Sequence, residues 1–148
     1  MKKVLFDTNT IIDVLLARNE FARSSSDALR LAERKLIKGY VSAASMTDIY
    51  YIVQKTLKDS DATMKGLNAI LGILKVAKVD QKCICNAVAS DWKDFEDAVQ
   101  NECARSNGIN IIVTRNPKDF VLSRIEICSP EDLLKKIYGN ALNVQNLD

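Results

Sequence analysis

The sequence contains no histidine, and this absence removes several kinds of chemistry at once. Without an imidazole there is no Ser-His-Asp or Cys-His catalytic group, and the commonest general base in enzymes is missing. The four cysteines include only one close pair, Cys83 and Cys85, so the spacings of common zinc sites are also absent. An enzyme built on this chain has to use carboxylates, lysine or a bound metal ion.

A long hydrophobic run is missing as well. No apolar stretch is long enough to cross a bilayer, and Asp7 interrupts the first one, which leaves no room for the apolar region of a signal peptide. We therefore expect a cytoplasmic protein without membrane contact, whose cysteines are reduced thiols. The net charge of +2 gives no overall attraction to phosphate, although a local basic patch is compatible with it.

What the sequence does contain is apolar material for one core. The chain has 148 residues, of which 47% are hydrophobic, so it is long enough for one complete core and too short to expect two. We expect this domain to occupy residues 1–138 and residues 139–148 to form a flexible tail.

Short apolar runs alternate with stretches whose apolar residues recur at helical spacing. This alternation predicts a three-layer α/β domain with a central, mostly parallel sheet of about five strands flanked by helices. Asp7, Thr8 and Asn9 are predicted to form a polar turn, and Gly39 to end the second helix. The predicted strands are 3–6, 40–43, 76–79, 109–113 and 124–128. The predicted helices are a short one near 11–16 and then 22–38, 45–57, 62–74, 81–90, 95–106 and 130–138.

Polar residues directly follow two of these strands. Asp7 follows the first, and the segment 114–120, Thr-Arg-Asn-Pro-Lys-Asp-Phe, follows the fourth. In parallel sheets, sites form outside the carboxyl ends of the strands. If the two strands are neighbours, both polar ends open into one cleft.

Several other acids have two interpretations each. Asp94 and Asp97 share a face in the first turn of a predicted helix, where they can serve that cleft or simply cap the helix. Asp48 completes an S-x-x-D capping pattern with Ser45, so its spacing does not separate a ligand from a cap. Asp13 either lines the edge of the site or faces solvent, and we favour solvent.

Carboxylates that converge on a small cleft repel one another, and a hard cation such as Mg²⁺ or Mn²⁺ compensates that repulsion. Such an ion orients and deprotonates water and neutralises charge on phosphate oxygens. The pattern therefore points to phosphodiester hydrolysis without histidine.

Taken together, these segments resemble the PIN domain family, which includes the VapC-type toxins of bacterial toxin–antitoxin pairs. Residues 4–9, Val-Leu-Phe-Asp-Thr-Asn, resemble the family's opening strand and metal aspartate. Residues 94–100 resemble its central acidic helix, and residues 112–120 its last site segment. The resemblance extends from about residue 2 to residue 134, in matching order and spacing.

The resemblance implies a metal-dependent endoribonuclease that acts as the toxin of a toxin–antitoxin pair, with Mg²⁺ or Mn²⁺ as cofactor. It also implies an RNA substrate, an antitoxin protein and a homodimer as partners. The implied catalytic and metal-ligating residues are Asp7, Asp48, Asp97 and Asp119. The implied supporting residues are Asn9, which orients the Asp7 turn, Asp94, and Thr114 and Asn116, which hold water, metal or phosphate.

Two positions depart from the family's pattern. Asp48 stands where the family usually has glutamate, and its shorter side chain reaches a metal only through water. Asn116 stands where many relatives have aspartate, with Asp119 as a possible substitute. A degenerate PIN domain that binds RNA or protein without cleaving is therefore an alternative. A phosphoacceptor module built on Asp7 is a third, which the acidic helix suits less well.

Substrate contacts are less well defined by the sequence. Each cation near a predicted loop or helix end is more often solvated than bound to phosphate. Aromatic residues at helical positions are more often half-buried packing residues than platforms for bases. The candidate cations are Arg18, Arg23, Lys55, Arg115 and Lys118, and the candidate aromatics are Tyr50, Tyr51 and Trp92.

Overall fold

The computed structural model describes residues 1–139 of the chain. This part contains five strands, seven α-helices and one 3₁₀ helix, Pro117–Phe120. The strands are β1 (Lys3–Phe6), β2 (Lys38–Ser42), β3 (Lys75–Ala77), β4 (Ile111–Val113) and β5 (Glu126–Cys128). The α-helices are α1 (Thr8–Leu15), α2 (Asn19–Glu33), α3 (Ala43–Leu57), α4 (Ser60–Ile73), α5 (Gln81–Val88), α6 (Phe95–Ser106) and α7 (Pro130–Gly139). Apart from Gly139, the predicted tail lies outside the described residues.

The five strands form one parallel sheet in the order β3-β2-β1-β4-β5. This arrangement confirms the predicted α/β class. Strands β1 and β4 are neighbours, and their register sets Phe6 beside Val113. Because the two strands run in the same direction and end side by side, the polar residues that follow them emerge at the same edge of the sheet.

Helices cover both faces of the sheet. Side chains alternate along β1, so Val4 and Phe6 pack in the larger hydrophobic cluster, with α1, α2 and α3, while Leu5 packs on the other face with Ile112 and Phe120. All five side chains are almost completely buried. Burial of a side chain of this size stabilises the fold by about 1.5–3 kcal/mol. The end of β1 is therefore held rigidly.

The predicted end of the second helix is wrong. Helix α2 ends at Glu33, and the chain turns away through Lys35, whose φ of 60° is left-handed. Gly39 does not stop a helix but lies inside β2. A Cβ atom at this position would lie 2.4 Å from Leu74 Cδ2 and 2.8 Å from Ala32 Cβ. Glycine is needed there because helix α2 and the residue that follows α4 approach the strand closely.

Two other local predictions are wrong at the starts of helices. Thr8 opens α1, so it belongs to the helix and not to a polar turn, and the Asp7 carboxylate accepts a hydrogen bond from its N–H. Helix α3 is capped by Ser42, whose hydroxyl accepts a hydrogen bond from the N–H of Ala44, so of the two interpretations of Asp48 the capping one is wrong. Asp48 lies in the second turn of α3.

The other helices and strands lie where the periodicity predicts them, with ends that differ by no more than two residues. All four cysteines are free thiols, in agreement with the expectation of a reduced protein. Within residues 1–139, no helix has both the length and the apolar character that crossing a membrane requires.

Candidate functional site

A pocket of about 520 Å³ opens at the carboxyl end of the central strand, where the N-terminal parts of α1, α3 and α6 meet. Four of the predicted site residues line it, and so do an acid and an amide that no sequence motif indicated. The predicted residues are Asp7, Asn9, Asp48 and Asp97, and the additional ones are Glu96 and Gln100. No lysine or arginine is among the described residues that line this pocket. It is hereafter called the acidic pocket.

Asp7 is the most buried acid in the pocket, with 6% of its surface exposed. Its Oδ1 accepts hydrogen bonds from the N–H of Thr8 at 2.8 Å and from Nε2 of Gln100 at 3.2 Å. Its Oδ2 accepts one from Oγ1 of Thr114 at 2.9 Å. Burial raises the pKa of Asp7, these hydrogen bonds oppose the rise, and the nearby carboxylate of Asp119 adds to it.

Asp97 is partly buried in the first turn of α6. The Asp94 carboxylate caps this helix and accepts a hydrogen bond from the N–H of Asp97 at 3.0 Å. The pKa of Asp97 is raised to about 7, first by burial and then by repulsion from neighbouring carboxylates. Those neighbours are Asp94, Asp7, Asp119 and Glu96. Acids from three separate parts of the chain therefore act on one another here.

Glu96 belongs to the same group of acids. Burial raises the pKa of Glu96, and the carboxylates of Asp48, Asp94 and Asp7 raise it further. Glu96 does not stand out in the sequence, because acids are common in the first turn of any helix. Its position beside Asp97 was the available signal, since adjacent helical residues point only about 100° apart and can both reach one broad pocket.

The residues of the loop after β4 differ in how they take part in the candidate site. Thr114 is completely buried, donates to Asp7 and accepts a hydrogen bond from the N–H of Asn116 at 3.1 Å. Asn116 and Asp119 are exposed, and neither lines the acidic pocket. Asp119 nevertheless lies close enough to raise the pKa of both Asp7 and Asp97. Asp119 therefore lies near the pocket, whereas Asn116 contributes only its backbone N–H, which donates to Thr114.

The expectation that Asp13 faces solvent is wrong. Its side chain is completely buried and forms ion pairs with Arg115 at 3.3 Å and with Arg18 at 3.5 Å. The guanidinium of Arg115 also lies 4.3 Å from the ring centre of Phe21. Burial raises the pKa of Asp13, and the two arginines oppose that rise. These two candidate cations therefore serve an internal ion pair, and neither lines the acidic pocket.

The three remaining candidate cations and one candidate aromatic residue do not line the acidic pocket. Arg23, Lys55 and Lys118 are exposed and lie outside the lining of the pocket. Trp92 packs edge-on against Phe120, with ring centres 5.6 Å apart, as expected of a packing residue.

Two aromatic side chains stand at the pocket itself. Tyr51 is 65% exposed and lines the pocket, so the expectation of a half-buried packing residue is wrong for it. Phe95 is 50% exposed and lines the same pocket. Tyr50, next to Tyr51 in sequence, is 38% exposed and does not line it.

The family resemblance implies a divalent metal, and the side chains of the pocket can be tested against that requirement. Residues 1–139 contain no group of three or more His, Cys, Asp or Glu side chains close enough together to enclose a metal ion. Mg²⁺ does not need such a cage, because it keeps several waters and binds through one or two carboxylates. Asp7 and Asp97 line one pocket, and the charge of Asp7 raises the pKa of Asp97. This pair fits a hydrated divalent cation.

Comparison with known families and sequences gives one match and one negative result. A family model described as PIN domain matches residues 3–118. No curated protein sequence matches the chain.

Solved structures with similar folds include toxin–antitoxin complexes and a single toxin. VapBC2 from Rickettsia felis, bound to a DNA fragment from their promoter, has a TM-score of 0.68 at 18% identity and covers 86% of this chain and 98% of its own. A toxin–antitoxin complex from Klebsiella pneumoniae has a TM-score of 0.63 at 22% identity over 86% and 97%. VapC20 from Mycobacterium tuberculosis, a sarcin-ricin loop cleaving toxin, has a TM-score of 0.59 at 17% identity over 74% and 86%. At these identities the likeness is one of fold.

Proposed function

This chain belongs to the PIN domain family, and on that premise we propose that it is a Mg²⁺- or Mn²⁺-dependent endoribonuclease that hydrolyses RNA phosphodiester bonds. The observation that carries the proposal is the convergence of Asp7, Asp48, Glu96 and Asp97 on one pocket whose described lining includes no cation. Clustered carboxylates destabilise a fold unless a divalent cation compensates them.

In this proposal Asp7 and Asp97 hold the metal ion. When bound, the ion supplies a water of lowered pKa and neutralises charge on the phosphate oxygens. Thr114 and Gln100 donate hydrogen bonds to Asp7 and so support its orientation. Asp48, whose side chain is short, would bind water in the pocket wall.

The supporting acids and amides have smaller proposed roles. Asp94 caps α6 and thereby supports the first turn that carries Asp97. Asn9 lines the pocket beside Asp7 and would hydrogen-bond water or phosphate there. Asp119 would increase the negative potential that attracts the cation, since its charge acts on both metal-ligating residues. No separate role is proposed for the Asn116 side chain.

RNA has to approach this pocket without help from lysine or arginine in its described lining. Attraction of the phosphate would therefore come from the bound cation. The exposed rings of Tyr51 and Phe95 at the same pocket suit stacking with unpaired bases. Unpaired RNA, in a loop or a single strand, is the substrate that this arrangement favours.

The expected partners follow from the structural neighbours. The Rickettsia felis and Klebsiella pneumoniae structures are toxin–antitoxin assemblies. We therefore expect this chain to act as the toxin of such a pair, in the cytoplasm, with an antitoxin protein that covers the acidic pocket. A homodimer is the expected assembly.

A second candidate function is a degenerate PIN domain that binds RNA or protein without cleaving it. One observation favours it: Asn116 provides no carboxylate. The phosphoacceptor alternative has less support, because Asp7 is 6% exposed and both of its carboxylate oxygens accept hydrogen bonds.

Cleavage of a labelled RNA with single-stranded loops, with added Mn²⁺ or with excess chelator, separates these functions. The nuclease should cleave with Mn²⁺ and lose cleavage in chelator and in Asp97→Asn. Asp61→Asn, which changes an exposed aspartate in the first turn of α4, is the matched control and should cleave normally. Equal cleavage in chelator would disprove the metal mechanism. A binding module would retain RNA without metal-dependent turnover.

A further inference from the structure

Gln100 is buried at the back of the acidic pocket, one helical turn after Asp97, with 5% of its surface exposed. Its Nε2 lies 3.2 Å from Oδ1 of Asp7, 3.2 Å from Oγ1 of Thr8 and 2.9 Å from Oγ of Ser45. We infer that Gln100 is a positioning residue that fixes the Asp7 carboxylate for metal binding. The inference rests on the function proposed for this pocket.

The contacts of Gln100 join three helices around one carboxylate. Thr8 lies in α1, Ser45 in α3 and Gln100 in α6, and the Thr8 hydroxyl donates to the Ser45 hydroxyl at 2.8 Å. Among the described residues, Gln100 is the only side chain that donates to Oδ1 of Asp7. Thr114 donates to Oδ2. One side-chain donor on each oxygen limits rotation of the carboxylate.

The orientation of the Gln100 amide follows from the chemistry of its neighbour. An ionised carboxylate accepts hydrogen bonds only, so the NH₂ end has to face Asp7. That choice leaves the carbonyl oxygen Oε1 of Gln100 buried without a hydrogen-bond partner. A buried acceptor that has lost water and gained no partner is unfavourable for the fold.

A residue kept only for packing would not carry this unsatisfied group. The other buried residues of α6 are small and apolar, and methionine has nearly the length of glutamine without its carbonyl oxygen. The NH₂ donor of Gln100, which faces the Asp7 carboxylate, therefore explains why an amide stands at this position. The other buried residues of the helix are Ala98, Val99, Cys103 and Ala104.

The test is Gln100→Met in the full chain, with Gln54→Met as the matched control. Gln54 lies in α3 and does not line the acidic pocket, and its Oε1 accepts a hydrogen bond from Thr63, so the control makes the same chemical change at another position. The first readout is Mn²⁺ affinity of the protein alone, by calorimetry. We expect Gln100→Met to bind Mn²⁺ about 10- to 100-fold more weakly, the range found when a group that supports a metal ligand is removed.

The second and third readouts separate positioning from structural support. The melting temperature of metal-free Gln100→Met should stay within about 3 °C of wild type, because the unsatisfied carbonyl is removed along with the hydrogen bond. With RNA at saturating Mn²⁺, kcat should fall while KM stays unchanged. A fall in melting temperature with unchanged Mn²⁺ affinity would overturn the inference, because it would make Gln100 structural.

The remaining outcomes are also decisive. Wild-type Mn²⁺ affinity and turnover in Gln100→Met would overturn the inference and leave the nuclease proposal intact. A wild-type protein that binds no Mn²⁺ would overturn both. Mn²⁺ binding that depends on Asp7 and Gln100 without any RNA cleavage would support the inference and count against the nuclease. If Gln100→Met does not fold, Gln100→Leu replaces it, and failure of both variants to fold would make the residue structural.

Discussion

Thr114 donates a hydrogen bond of 2.9 Å to Oδ2 of Asp7, which precedes it by 107 residues in the chain. The contact exists because β1 and β4 are parallel neighbours that end side by side. It is the simplest link between the sheet and the candidate site: register within the sheet sets the distance between a hydroxyl and a carboxylate.

Replacement of the Thr114 hydroxyl by a methyl group should weaken metal binding, although the shape of the side chain is nearly unchanged. Thr114→Val leaves Asp7 without a donor on Oδ2 and leaves the N–H of Asn116 without its acceptor. We expect Mn²⁺ affinity to fall by about 10- to 100-fold and stability by about 1–3 kcal/mol. Thr114→Ser, which keeps the hydroxyl, should retain the affinity. Calorimetric Mn²⁺ titration and urea unfolding measure both effects, and equal affinity of the two variants would contradict the expectation.

Asp97 should destabilise the metal-free fold at neutral and alkaline pH. The pKa of Asp97 in the folded protein is about 7, against 3.8 for an ordinary aspartate, so the folded state holds the proton more tightly than the unfolded state does. The resulting penalty is full above the folded pKa, shrinks as the pH falls through it, and disappears below the unfolded pKa. Removal of the charge should therefore stabilise the protein most at high pH.

The variant that measures this effect is Asp97→Asn. Without metal at pH 8 it should be more stable than wild type by an amount on the order of 1 kcal/mol after allowance for solvent screening, which is a rise of about 2–4 °C in melting temperature. The difference should narrow as the pH is lowered to 5. Asp61→Asn, an exposed change in α4, should give no such pH-dependent gain. If the stability advantage of Asp97→Asn over wild type increased as the pH fell, the raised pKa of Asp97 would be disproved.

Much of the site was predictable because its acids stand at positions that local sequence defines. Asp7 follows an apolar run that predicts a buried strand, and the boundaries of α6 agree with the prediction at both ends. Because parallel strands end at a common edge, the expectation that Asp7 and the segment after β4 emerge together required only that β1 and β4 be neighbours, which they are.

The errors share a physical origin in distant contacts. One of the two partners of the buried Asp13, Arg115, is 102 residues away, and no local pattern contains that contact. Gln100 contacts Asp7 across 93 residues, so its place in the α6 sequence gave it no distinction. The sequence offered a capping pattern at Ser45, but Ser42, the last residue of β2, caps α3.

The ion pair of Asp13 should contribute to stability and not to RNA binding. Arg115→Met leaves a completely buried carboxylate with Arg18, at 3.5 Å, as its remaining partner. Loss of one partner from a buried pair costs about 3–5 kcal/mol, and the remaining arginine should reduce this to about 2–3 kcal/mol. Urea unfolding measures the loss, with exposed Arg23→Met as the control. Unchanged stability together with a raised KM for RNA would show that Arg115 binds phosphate.

Tyr51 and Tyr50 offer a matched pair for the substrate contact, since they are adjacent, both exposed, and only Tyr51 lines the acidic pocket. Stacking of one base on an aromatic ring contributes about 1–3 kcal/mol, so loss of the ring should raise KM for unpaired RNA by roughly tenfold or more. Tyr51→Ala should show this rise with little change in Mn²⁺ affinity, and Tyr50→Ala should not. Because both substitutions remove the same side chain from the same helix, their difference reports position alone. Equal KM values for the two variants would exclude stacking at Tyr51 and leave the bound cation as the main attraction for RNA.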